Sequence, residues 1–241
     1  PHSYIFHSKD GISGYAGFAE YVIAKANDIM VFEHEESFIK MALTEPMACV
    51  INSIECTDVH FGQDCLVIGG GTMGLLHVML LRLRGARVIV SEPLEARREM
   101  ALKLGASDAF DPSEGDAVRK ARDLTGGRGA DFVYNTVSHP AIAAQAVQMT
   151  AACGICVMFS SIHPREDVPM DAGRIHSMQV TVTGAVSPTI RAYFESVQML
   201  DKGLVDPTPL IEGVFDFTEF QAAMDTALRP DSYKVIVRFG A

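Results

Sequence analysis

Tryptophan is absent from the 241 residues, and basic side chains are scarce, 20 Lys+Arg against 30 Asp+Glu. The resulting formal net charge of -10 comes with no Lys/Arg cluster, which argues against nucleic acid or anionic membrane as a partner. Cysteine occurs five times, at Cys49, Cys56, Cys65, Cys153 and Cys156. An odd, scattered set is no disulfide framework, so a reducing, cytoplasmic setting is expected. No apolar core follows the first residues PHSYIFHSKDG, so no signal peptide is expected there. The uncharged run Cys65–Leu81 is 17 residues long and carries its glycines at one end, too short and too broken for a membrane span. Internal repeats and low-complexity segments are likewise absent.

What is present is ordinary globular composition, 48% hydrophobic and 21% charged. A chain of this length buries roughly 70–75% of its unfolded surface and needs no covalent staple. From about Asp64 to Gly184, short β-branched runs alternate with helix-period stretches. The runs are 65–68, 87–91, 131–135, 154–159 and 179–184. That alternation predicts βαβ units, an α/β doubly wound parallel sheet covered on both faces. Helices are expected over 72–83, 93–104, with Pro93 in its first turn and Gly105 past its end, and 139–150, with Pro140 near its start. The flanks differ: strand-like pieces at 17–24 and 28–33, then two helices and a closing strand at 233–239. Thr218 and Gln221 have capping-box spacing for the second of those helices.

The strongest chemical signal is Gly69-Gly70-Gly71-Thr72-Met73-Gly74, a GxGxxG between an expected strand and an expected helix. In that context Gly69 makes the tight turn, Gly71 admits a pyrophosphate and Gly74 lets helix pack on strand. A pyrophosphate would then sit at the helix N-terminus, where N–H groups and the dipole favour an anion. The next strand ends in Glu92, where an acid accepts the ribose hydroxyls and repels a 2′-phosphate, favouring NAD over NADP. Arg97 and Arg98, one turn on, could tolerate a 2′-phosphate. A methyltransferase would carry an acid just before the glycines, where this chain has Ile68.

Together with 17–22 (GFAEYV), Glu45-Pro46, Leu104-Gly105-Ala106, Gly129-Ala130-Asp131 and Tyr233-Lys234-Val235-Ile236, these motifs occur in one order across the chain. In this the sequence resembles the medium-chain dehydrogenase/reductase family, in particular its zinc-containing alcohol and polyol dehydrogenases. The resemblance implies a Rossmann domain over 46–187, with 1–45 and 188–241 belonging to a GroES-like catalytic domain. It implies NAD at Gly69, Gly71, Thr72, Met73 and Gly74, with Glu92 and Arg97 on the adenosine ribose. Val137, Ser160, Ala185 and Val186 would lie on the nicotinamide side, and Lys234 at the pyrophosphate. Glu45 takes the position of a catalytic-zinc ligand. Dimers or tetramers through 179–186 and a small alcohol or polyol substrate are also implied.

The departures are equally specific. The family's catalytic-zinc Cys, its Gly-His-Glu ligand motif and its structural-zinc cysteines belong to a preceding lobe and are not in this sequence. Catalytic zinc needs three protein ligands and an open position, which Glu45 alone does not supply. His2, His7, His34 and His60 lack helical ligand spacing, and Cys153-Gly154-Ile155-Cys156 lacks a second pair. His139, His163 and His176 read as loop or capping residues. Ser187 replaces the substrate-binding Arg of sorbitol dehydrogenases. The expected activity is hydride transfer between NAD(H) and an alcohol or polyol, zinc-assisted in a complete protein. The alternative is a zinc-free NAD(P)H-binding reductase or a catalytically incomplete dinucleotide-binding module.

Overall fold

The computed structural model describes Phe6–His7, Ser13–Gly14, Ala19, Tyr21, residues 24–26 and residues 29–239. They divide into two compact units, one formed by 32–207 and the other by 1–31 with 208–241. Residues 32–45 and 188–207 thus fold with the larger unit.

The larger unit is built on one six-stranded sheet with every pairing parallel. Its strands are β3 (Asp64–Ile68), β4 (Arg87–Ser91), β5 (Asp108–Phe110), β6 (Ala130–Asn135), β7 (Thr150–Met158) and β8 (Thr181–Gly184). The spatial order is β5-β4-β3-β6-β7-β8. The chain therefore runs outward from β3 in one direction, then crosses back and runs outward through β6 in the other. Between the strands lie α2 (Thr72–Leu83), α3 (Glu95–Lys103), α4 (Ala117–Leu124), α5 (Pro140–Met149) and α6 (Ala172–Ser177). Every residue of β3 is buried, as its unbroken apolar run requires of a strand covered on both faces. Leu66, Ile89, Val133 and Cys156 are the centre of the core, each at most 1% exposed. Burying a side chain of leucine size stabilises by roughly 1.5–3 kcal/mol.

Two further helices close one flank, α1 (Thr44–Ile54) and α7 (Ile190–Asp201). On α1, Met47, Val50, Ile51 and Ile54 are buried at helical spacing, and α1 packs on α7 and α2. Ser196 donates to the Thr44 carbonyl at 2.8 Å, fixing the start of α1 against α7. No helix among the described residues is long and apolar enough to cross a membrane.

The smaller unit contains β1 (Phe6–His7) paired antiparallel with β2 (Ser13–Gly14). It also holds β9 (Ile211–Asp216), α8 (Phe220–Ala227) and β10 (Lys234–Arg238), with β9 and β10 parallel.

The helices expected at 72–83, 93–104 and 139–150 form at Thr72–Leu83, Glu95–Lys103 and Pro140–Met149. His139 caps the last of these through its ring, accepting from the Ala141 N–H. Three local expectations are corrected. Residues 29–33 form no strand, because the main-chain donors of Glu33 and His34 go to the Asp201 carboxylate at 3.0 and 2.9 Å instead of to a ladder. The capping box lies at Asp216 and Glu219, not Thr218 and Gln221, and the Thr218 hydroxyl itself donates to Asp216. The segment after 188 also carries β9, which precedes α8. The expected strand at 17–24 lies largely outside the described residues, as does His2.

Candidate functional site

The reversal of strand order between β3 and β6 opens a crevice at the carboxyl ends of the strands, the place where parallel α/β sheets bind ligands. The glycine loop leaves β3 at that point. Gly69 has φ +101°, and a Cβ there would stand 2.7 Å from the Thr136 hydroxyl oxygen. Thr136, just past β6, donates both its N–H and its hydroxyl to the Ile68 carbonyl, at 3.0 and 2.7 Å, tying the two strand ends together. Gly74 is the tightest position: an added Cβ would lie 1.9 Å from the Gly69 carbonyl oxygen. Gly71 differs, since its Cβ would meet nothing nearer than the Arg97 guanidinium at 3.9 Å. The loop is closed below and open above, at the residue that must admit a pyrophosphate. Gly71 is the N-cap of α2, no side chain caps that helix, and its first turn holds no acid. Thr72, Met73 and Gly74 therefore begin a positive helix end facing the crevice.

Glu92, at the end of β4, is 4% exposed. Its Oε2 accepts the Gly70 N–H at 2.6 Å and its Oε1 the Leu94 N–H at 2.9 Å. The carboxylate thus holds the glycine loop directly, a role that strand-end spacing did not suggest. A cavity of about 270 Å³ runs beside it, lined by Gly69, Glu92, Leu94, Arg97, Val137 and Ile142 among others. That size suits one half of a dinucleotide better than the whole. Arg98 turns away, donating to the Glu92 and Pro93 carbonyls at 2.9 and 2.6 Å and pairing with Asp111 at 3.4 Å.

Along the same sheet edge, Val137 follows β6, Ser160 follows β7, and Ala185 and Val186 follow β8. The Ser160 N–H donates to the Asn135 carbonyl at 3.1 Å and Ala185 to that of Met158 at 3.2 Å, so these loops continue the ladders. Beneath the loop, His77 of α2 is fully buried, with Nδ1 2.8 Å from the Met73 carbonyl and Nε2 3.1 Å from the Ser53 hydroxyl. Burial lowers its pKa to about 4, with the bond to Met73 opposing, so the ring is neutral. Lys234 belongs to the smaller unit, where it opens β10 opposite Ile211.

Glu45 lies in the first turn of α1, exposed, and accepts from the Cys49 thiol at 3.2 Å. Partial burial first, then Glu45, push the Cys49 thiol up to about 12. Tyr193 of α7 faces the same pair, its hydroxyl raised by burial and by Glu45 and Cys49. Among the described residues no three His, Cys, Asp or Glu side chains come close enough to hold a metal ion. The described part of this chain therefore does not fit a complete catalytic zinc site. Cys153 is exposed while Cys156 is buried in β7, and among the described residues no third candidate ligand joins them.

A family model, zinc-binding dehydrogenase, matches residues 72–202, more than half of the chain. The chain belongs to the zinc-binding dehydrogenase family. It is 27% identical over 231 residues to an L-threonine 3-dehydrogenase of Caldanaerobacter subterraneus subsp. tengcongensis, covering 94% of this chain and 66% of that protein. It is 25% identical to a sorbitol dehydrogenase of Bacillus subtilis, covering 88% of this chain and 60% of the relative. The fold is that of an alcohol dehydrogenase from Escherichia coli CFT073 complexed with NADH, with a TM-score of 0.84 at 22% identity over 95% of this chain and 68% of that one. A Sinorhizobium meliloti 1021 protein assigned as a zinc-binding dehydrogenase, solved with NADP bound, superposes with a TM-score of 0.76 at 25% identity over 81% and 58%. The chain spans 46–67% of the length of such sequence relatives. Helix α2, Glu92 and Thr136 lie within the span that the family model matches.

Proposed function

We propose that this chain is the cofactor-binding part of an NAD-dependent dehydrogenase acting on an alcohol or polyol. The observation that carries the reading is the glycine loop at the strand-order reversal, closed beneath by Gly69 and Gly74 and open only at Gly71. In this reading the pyrophosphate lies on the α2 N-terminus at Gly71–Gly74, and the adenosine ribose lies against Glu92 and Arg97. The nicotinamide side runs along Val137, Ser160, Ala185 and Val186. The buried negative charge of Glu92, with Arg98 committed to carbonyls and Asp111, supports NAD over NADP, because a 2′-phosphate there would face a carboxylate.

Bound there, a nicotinamide cofactor supplies hydride exchange with the carbinol carbon of a substrate. The chain's own residues orient it: the helix end neutralises the diphosphate, Glu92 fixes Gly70, and Thr136 holds the crevice floor. Glu45 would supply at most one oxygen ligand to the zinc that the family's name implies. With no set of three ligands among the described residues, no step of this proposal passes through that metal. Strand β8, at one edge of the sheet among the described residues, would offer its outer ladder to a homodimer or homotetramer. Five unpaired cysteines support a cytoplasmic location.

Isothermal titration of the purified chain with NADH and NADPH tests the reading. Saturable NADH binding, stronger than that of NADPH, is expected. No binding of either would overturn it. Turnover of secondary alcohols, when the chain stands in a protein with a full zinc-ligand set and is inhibited by chelators, would separate the dehydrogenase from a metal-free binding module.

A further inference from the structure

The loop after β8 is held in an unusual way. Ala185 donates its N–H to the Met158 carbonyl at 3.2 Å, continuing the β7–β8 ladder by one residue. Two residues later Ser187 has φ +57°, in the left-handed region that L-residues other than glycine avoid. The next residue is Pro188, which further narrows the choices open to Ser187. A backbone held in such a region persists only where its surroundings impose it, and such positions cluster at ligand clamps. Here the imposing group comes from another element: the Asn52 amide donates to the Ser187 carbonyl at 2.9 Å. Asn52 stands on α1 at i+7 from Glu45 and i+3 from Cys49, one stripe of a helix whose other face is locked into the core.

The residue suspended between these two anchors is Val186, 86% exposed. An apolar side chain held out by a strained loop, at the carboxyl edge of a parallel sheet, offers a van der Waals contact where such sheets bind ligands. We propose that Asn52 is a positioning residue that fixes the loop 185–187 for contact with the nicotinamide half of the dinucleotide. This rests on the cofactor reading above. Asn52 touches no cofactor atom; it acts through the Ser187 carbonyl. Without that bond Ser187 relaxes to an ordinary φ and Val186 swings off the nicotinamide side, while the adenosine half at Glu92 is untouched.

The test is calorimetric titration of the chain with NADH and, separately, with ADP-ribose, which has the pyrophosphate and both riboses but no nicotinamide ring. The variants are Asn52→Ala and Asn52→Asp, the second keeping the shape while removing the donor should the first fail to fold. A neutral hydrogen bond governs about a three- to tenfold change. Both variants should raise the NADH Kd by about that factor and leave the ADP-ribose Kd within about twofold. Unchanged NADH affinity would overturn the inference, as would an equal loss for both ligands, which would mark Asn52 as general support. Wild-type chain that binds neither ligand would overturn the cofactor reading itself, whereas ADP-ribose binding with an indifferent Asn52 would overturn the inference alone.

Discussion

Replacing Glu92 by Gln perturbs the fold and the cofactor site through the same two bonds. The carboxylate is 4% exposed and takes a main-chain N–H on each oxygen, Gly70 at 2.6 Å and Leu94 at 2.9 Å. Glutamine has the same shape and a single acceptor oxygen, so one of the two N–H groups must face an NH₂. One charge-assisted hydrogen bond is lost, about 1.5–3 kcal/mol. In a chain this size each kcal/mol moves Tm by about 2–4 °C, so Tm should fall by about 3–12 °C. Gly70 adjoins Gly71, so the same loss displaces the pyrophosphate cradle. The NADH Kd should rise at least about tenfold, since 1.4 kcal/mol is a factor of ten. Removing the charge also lifts the repulsion of a 2′-phosphate, so the ratio of NADPH to NADH affinity should increase. Differential scanning fluorimetry and paired titrations with the two cofactors measure all three. An unchanged Tm together with an unchanged affinity ratio would refute the reasoning.

Gly74→Ala places a Cβ against the Gly69 carbonyl oxygen, where an unrelaxed contact would be 1.9 Å. The loop must open, so urea unfolding should show a loss of about 1–3 kcal/mol and NADH binding should fail; a variant as stable as wild type would contradict the close packing. His77 is neutral in the fold down to about pH 4, whereas in the unfolded chain it takes a proton near its ordinary 6.5. Its contribution is therefore complete above pH 6.5 and declines as pH falls toward 4, by roughly 3 kcal/mol in all. Urea midpoints at neutral and acid pH should fall further for wild type than for His77→Phe, and parallel declines would exclude His77 as the cause. Cys153→Gly should stabilise by about 1 kcal/mol, because Cys153 has φ +59° and glycine adopts that region without strain. A lower Tm for that variant would show that the Cys153 side chain matters more than its backbone.

The parallel sheet was legible because its strands are covered on both faces, and an unbroken apolar run such as Cys65–Ile68 has few other places to go. Helix α2 was legible to the residue, since the glycines mark its start by their conformational demands. The β5 edge was not. Strand β5 is only three residues long, Asp108–Phe110, and carries little periodicity, while α4 is amphipathic, with Ala117 and Ala121 buried on one face, but is only about two turns long. The absent strand at 29–33 turns on Asp201, a buried acid 168 residues downstream of Glu33 that no local pattern announces. In the site, glycine spacing located the loop, and Glu92 was found as a strand-end acid. Its Gly70 partner, like those of Thr136 and Asn52, depends on which strands and helices become neighbours. Those are long-range facts, and a sequence states them only through the fold.

The most direct test of the central claim, that the loop opening at Gly71 receives a dinucleotide pyrophosphate, is Gly71→Ala assayed for stability and for NADH binding together. The added methyl meets only the end of Arg97, at 3.9 Å, so the empty protein should unfold within about 0.5 kcal/mol of wild type. The same methyl occupies the space the pyrophosphate needs, so NADH binding should be lost while wild type binds. A stable variant that binds NADH as wild type does would contradict the account.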